Sequence, residues 1–168
     1  MTEGATDLVF TPIALAVALC ISLFAVPTHA DGEKRIDHHR VETCLATENS
    51  PRDCLFAASG PCETQEVQRA ASQLRARMWC DLRESDVWIS LADEAFSDMV
   101  QRVPKQLLAS LHAIRDSHLA GRTARCKFPY DFFRTPWSES DAARCLLHYE
   151  HEHASALIEA QTFLSDVN

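Results

Sequence analysis

Glycine is the first shortage, with 4 residues in a chain of 168. So few leave little for the tight turns and bulges that β-sheets use. The Val- and Ile-rich alternation of half-buried strands is missing as well. No C-x-x-C pair occurs among the 7 cysteines, which argues against the common structural zinc sites. There is no Gly-rich phosphate loop, no basic aromatic patch, and no nucleophile set at a recognised spacing from a base. Ser110, Ser117 and Ser155 read as ordinary helix serines, and Asp93-Glu94 are neighbours that face different ways on a helix. These absences describe a chain that is not an enzyme and needs no cofactor. Cations are outnumbered too, 16 Lys and Arg against 24 Asp and Glu, for a net charge of −8. That balance speaks against nucleic acid or an anionic membrane and suits a basic protein partner.

Bases are absent from the first residues as well, where Glu3 and Asp7 precede the apolar run Ile13 to Val26. That run is too short to span a bilayer comfortably, and Pro27-Thr28-His29-Ala30 follows it with small residues at the places a signal peptidase reads. Residues 1–30 are expected to be a signal peptide, cleaved after Ala30 despite the unusual lack of a positive start. Residues 31–168 then form one exported domain, periplasmic or secreted, with no membrane attachment after cleavage. Six cysteines remain in it: Cys44, Cys54, Cys62, Cys80, Cys126 and Cys145. An even number in an exported chain predicts a disulfide framework.

What the chain has in plenty is Ala, Leu, Glu and Arg, and the expected fold is all-α, an antiparallel helical bundle of hairpins stapled by disulfides. Ile36 to Ala46 reads as a short helix carrying Cys44. Ser50 and Pro51 are a cap and first-turn pair opening a second, which Gly60-Pro61 should end, leaving Cys62 in a loop. From Thr64 to Pro104 the residues Val67, Ala71, Leu74, Met78, Trp88, Leu91, Ala92, Ala95, Phe96, Met99 and Val103 form one stripe of a long helix. Its polar middle, Cys80 to Asp86, is the place for a break. Trp88 and Phe96 are core. Leu107, Leu108, Leu111 and Ile114 mark the next helix, running to Cys126 across Gly121, and the last carries Leu146, Leu147, Tyr149, Ala154, Leu157, Ile158 and Phe163.

Between those two helices, Lys127 to Asp141 holds two prolines, five aromatics and no helical period, so it reads as a loop. A loop of this kind stays in place only if its ends are tied, and Cys126 paired with Cys145 ties them, a closure that is worth about 3 kcal/mol in the chain-entropy account. Among Cys44, Cys54, Cys62 and Cys80 three pairings remain open.

The most suggestive polar chemistry is in the last helix. His148 and His151 share a face, with Glu152 four residues from His148, a set able to hold a surface Zn²⁺ or Cu²⁺. His153 points elsewhere, and the spacing is not that of a zincin. The plainer reading is a solvated helix face that charges below about pH 6.5. His118, on an otherwise apolar stripe, reads as a hydrogen-bonded core or boundary residue, and Asp37-His38-His39 as a polar helix start.

Three pieces together resemble the LprI-like lysozyme-inhibitor family of small exported helical domains. Cys80 is followed by Glu84, Trp88 and Phe96 in the family's register, with Ile89 and Asp93 where the family has Asp and Asn. Leu111, Arg122 and Cys126 follow, with His118 in the place of a usual Trp and Thr123 in that of an Asp. Cys145-Leu146-Leu147 with Ala154 and Leu157 completes the match, with Glu150 and His153 where Thr and Arg are preferred. The resemblance covers roughly residues 40 to 160 and makes the chain similar to a divergent member. It implies binding to a protein partner, a basic lysozyme. Phe128, Tyr130, Phe132, Phe133, Arg134 and Trp137 are the candidate contact, since aromatics and Arg most often carry interface energy. Alternatively Phe132, Phe133 and Trp137 fold back to cap the core. A metal-binding module built on His148, His151 and Glu152 is the second function the residues admit.

Overall fold

A computed structural model describes residues 29–48, 50–68, 72–133 and 135–167. The expected export segment lies outside them apart from its last two residues, which are helical. Among the described residues every regular element is helical: α1 (His29–Thr47), a 3-10 turn (Pro51–Cys54), α2 (Ser59–Glu66), α3 (Gln73–Arg102), α4 (Lys105–Phe133) and α5 (Pro136–Val167). The expected all-α bundle stapled by disulfides is what the chain forms, and among the described residues no helix is long and apolar enough to cross a membrane.

Local chemistry sets the boundaries. Ser50 caps the 3-10 turn by accepting from the Arg52 amide at 3.2 Å, with Pro51 in the first position. Pro61 does not end a helix as its sequence suggested. It sits in the first turn of α2, where a missing N–H leaves no bond unmade, so Cys62 is helical. Ser72 accepts from the Arg75 amide at 3.3 Å and starts α3. The interruption in the long stripe therefore falls before Gln73, and Cys80 to Asp86 run unbroken as helix with Asp81, Glu84 and Ser85 buried. Val103, held extended before Pro104, separates α3 from α4.

The expected loop from Lys127 to Asp141 is corrected most. α4 continues through Pro129 to Phe133, and α5 begins at Pro136. Pro129 removes one backbone hydrogen bond from a helix that Cys126 anchors to α5. At the start of α5, Thr135 and Ser138 cap one another: Thr135 Oγ1 accepts from the Ser138 amide at 3.1 Å, and Ser138 Oγ accepts from the Thr135 amide at 2.8 Å.

α3 and α5 pack along their lengths, burying Val87, Trp88, Ala92, Phe96 and Met99 against Leu147, Ala154 and Leu157. α1, the 3-10 turn and the residue before α2 cover one side of α3 through Val41, Cys54 and Ala58, and α4 lies on α5. The disulfides join neighbours in sequence: Cys44–Cys54 ties α1 to the 3-10 turn, Cys62–Cys80 ties α2 to α3, and Cys126–Cys145 ties α4 to α5. The last is the pairing that the sequence pointed to. Three such bonds suit an oxidising compartment outside the cytosol.

Buried carboxylates lock the helices together. Arg83 bridges Asp37 at 2.6 Å and Glu33 at 3.0 Å, and Arg144 bridges Asp81 at 2.7 Å and Glu63 at 2.6 Å. Burial raises the Asp37 pKa against the pull of Arg83, and pushes Asp81 up to about 6 against that of Arg144. Asp37-His38-His39 thus lies well inside α1, with its aspartate in the core.

Candidate functional site

At the end of the α4–α5 hairpin three aromatic side chains meet solvent. Phe128 is 63 % exposed, Phe132 69 % and Trp137 66 %. Phe128 and Phe132, one helical turn apart, stack with ring centroids 5.7 Å apart. Continuation of α4 beyond Cys126 sets these rings on a helix, and Phe132 and Trp137 do not cover the core. The Tyr130 and Phe133 side chains and all of Arg134 lie outside the described residues. Below the aromatics, α3 and α4 spread apart over α5 and leave a groove of about 530 Å³. Met78 and Leu82 line one wall, Ala142, Ala143 and Leu146 the floor, and Arg122, Cys126 and Lys127 the other wall.

Deeper between α4 and α5 lies a polar cluster. Glu150, 3 % exposed, faces His118 Nε2 at 3.0 Å and Arg122 Nε at 3.0 Å. The His118 ring stacks on Tyr149 at 4.5 Å and on His153 at 3.7 Å, and the Tyr149 hydroxyl donates to the His118 carbonyl at 3.2 Å. The boundary role expected for His118 is what this geometry gives it. Burial, then the neighbouring His118 and Arg115, bring the His153 pKa down to about 4. On the solvent side Arg115 reaches Asp93 at 2.9 Å and lies over the Phe96 ring. All of these groups except Tyr149 line a small cavity of about 80 Å³, and Arg122 lines both it and the groove.

The histidines of α5 diverge. His151 is buried, its ring edge-on to Trp88 at 4.7 Å and its Nε2 3.1 Å from the Pro51 carbonyl; burial lowers its pKa. His148 is exposed beside the Phe56 ring, and Glu152 is exposed. Among the described residues no group of three His, Cys, Asp or Glu side chains converges as metal ligands would.

Sequence reasoning missed the groove and the Glu150 cluster. The groove takes its lining from three helices. His118 and Glu150 are 32 residues apart, and each looked like an isolated departure from its surroundings. The only available signal was that both stand where polar side chains interrupt apolar stripes. Compared with family models, curated proteins and solved structures, the chain matches none.

Proposed function

We propose that the protein is an exported binding protein, periplasmic or secreted, of the LprI-like type. It acts through the hairpin end, and a basic lysozyme is the partner that the resemblance implies. The observation that carries this reading is the exposure of Phe128, Phe132 and Trp137 on helices clamped by Cys126–Cys145. Apolar rings held in water on a rigid support are what an interface needs, because little side-chain or backbone freedom remains to be lost on binding. Cleavage after Ala30 would remove Glu3 and Asp7, leaving 16 basic against 24 − 2 = 22 acidic residues, and this negative balance favours encounter with a basic protein.

A turbidity assay of animal-type lysozyme on cell walls, with the disulfide-intact protein added, tests this directly. Dose-dependent inhibition is expected, lost on reduction and weakened in Phe128→Ala/Trp137→Ala. Full lysozyme activity with the protein present at tens of micromolar would remove lysozyme as the partner. Inhibition untouched by those substitutions would remove the hairpin end as the contact.

A further inference from the structure

We propose that the groove between α3 and α4 is a binding site for one acyl chain bearing an anionic head group. Between their shared turn and the groove, α3 and α4 are linked where Arg115 reaches Asp93 and covers Phe96. Towards the hairpin end they separate, and α5 forms the bottom of the opening. Its residues there are Ala142, Ala143 and Leu146, and the two alanines leave the slot deep where larger side chains would fill it. Met78 and Leu82 make the α3 wall, the thioether adding adaptable surface.

The volume of about 530 Å³ lies within the range of small-molecule sites. None of the Ala, Leu and Met side chains named offers a hydrogen bond. An extended peptide would find polar partners only at the rim, in Arg122, Thr123, Lys127 and Glu139, and none on the floor or the α3 wall, whereas an acyl chain has no N–H or C=O groups to satisfy there.

Charge at the rim selects the head. In a chain of net charge −8, the α4 side of this apolar slot carries Arg122 and Lys127. Arg122 has its Nε turned to Glu150, and Lys127 is 3.7 Å from Asp131 with a side chain 60 % exposed. Glu139 lies on the α5 side. A carboxylate or phosphate placed by the α4 wall meets two cations while its chain lies along the floor. This site is independent of the lysozyme reading, and either stands if the other fails.

The test uses the full disulfide-intact protein and a fluorescent fatty-acid probe, with native mass spectrometry for stoichiometry. Palmitate, lysophosphatidate and neutral monopalmitoylglycerol compete for the probe, and anionic phospholipid vesicles serve as a separate arm. One palmitate per chain is expected, and the ratio of palmitate to lysophosphatidate affinity distinguishes a carboxylate from a phosphate head. The neutral lipid should bind about tenfold more weakly. Ala142→Phe, at a half-buried position, should lower palmitate affinity about tenfold with the circular dichroism and melting curve unchanged. If that variant unfolds, Leu82→Glu carries the same expectation. Lys127→Gln should weaken palmitate and leave monopalmitoylglycerol as it was. Absence of probe binding, equal binding by the groove variants, equal affinity for the neutral lipid, or binding to vesicles alone would each overturn the proposal.

Discussion

The indole Nε1 of Trp88 donates to Oε1 of Glu84, one turn earlier on α3, at 3.1 Å. The same carboxylate accepts from the backbone amides of Phe56 at 2.8 Å, Ala58 at 3.0 Å and Ser59 at 2.6 Å. Glu84 therefore closes the entry to α2, satisfying amides that the helix start leaves without partners, and fixes the orientation of the largest core side chain. The turn it holds includes Phe56 at φ 70°, a left-handed conformation that a bulky residue adopts only when its surroundings impose it. The Phe56 ring lies under the Arg144 guanidinium at 4.4 Å.

From this follows the first prediction. Glu84→Gln keeps the shape but turns an NH₂ towards a site built entirely of donors, so it should cost about 3 kcal/mol or more. Trp88→Phe removes one donor and some contact area and should cost less. Urea unfolding of the two variants checks the order. A Glu84→Gln penalty below about 1 kcal/mol would mean that the amides do not depend on a carboxylate.

Glu84 and Trp88 also mark how far the sequence could be read. Their register was visible, and so were the helices, because Leu, Ala and aromatic residues repeat at three and four over α3, α4 and α5. The role of Glu84 was not, since its backbone partners lie 25 to 28 residues away. The polar stretch around Asp81 suggested a break for the same reason: its counter-ion Arg144 is 63 residues distant. The real interruption before Gln73 was hidden because Val67, Ala71 and Leu74 stay in phase across it, and only Ser72 signalled a helix start. Cys126–Cys145 was identified for an incomplete reason. The bond joins two helices whose connection is far shorter than the prolines and aromatics implied, since Pro136 opens a helix and Pro129 is tolerated in one.

Asp81 and His153 should tilt stability in opposite directions over the same pH interval. Burial raises Asp81 from its ordinary 3.8 to about 6, so the folded chain binds its proton more tightly than the unfolded chain. That contribution is complete below 3.8 and is lost as pH rises through about 6. His153 is lowered from 6.5 to about 4, so its contribution is complete above 6.5 and is lost as pH falls through about 4. Each is worth at most about 3 kcal/mol, less for the half-buried His153. Asp81→Asn should gain on the parent as pH rises from acid to neutral, and His153→Gln should gain on it as pH falls. Chemical denaturation at several pH values between these limits reads both, and parallel curves for parent and variants would refute the pair.

The three disulfides should be unequal in what they hold. Cys126–Cys145 and Cys62–Cys80 close spans of 19 and 18 residues, and Cys44–Cys54 one of 10. Loop entropy separates the long spans from the short one by only about 0.6 kcal/mol, with about 3 kcal/mol expected for removing either long one. The contrast lies in where the molecule opens. Cys126→Ala/Cys145→Ala should speed amide hydrogen exchange at the hairpin end and leave α1 and α2 protected; Cys44→Ala/Cys54→Ala should do the reverse. Uniform loss of protection in both variants would show a single cooperative unit instead.

Gly121 offers the sharpest local test, because two effects of similar size oppose each other there. In mid-helix, alanine is preferred to glycine by about 1 kcal/mol. Yet a Cβ at Gly121 would overlap the Tyr149 hydroxyl, and that ring cannot simply swing aside while it stacks on His118 and donates to its carbonyl. Gly121→Ala should therefore destabilise the protein by about 1–2 kcal/mol despite its helix preference. In a Tyr149→Phe background, where the hydroxyl is gone, the same substitution should become neutral or stabilising. The double-mutant cycle isolates the contact, with a coupling of about 1–3 kcal/mol expected from thermal or urea unfolding. Additive effects would mean that the α4–α5 seam adjusts without strain, and that the absence of a side chain at position 121 does not determine how closely the two helices approach.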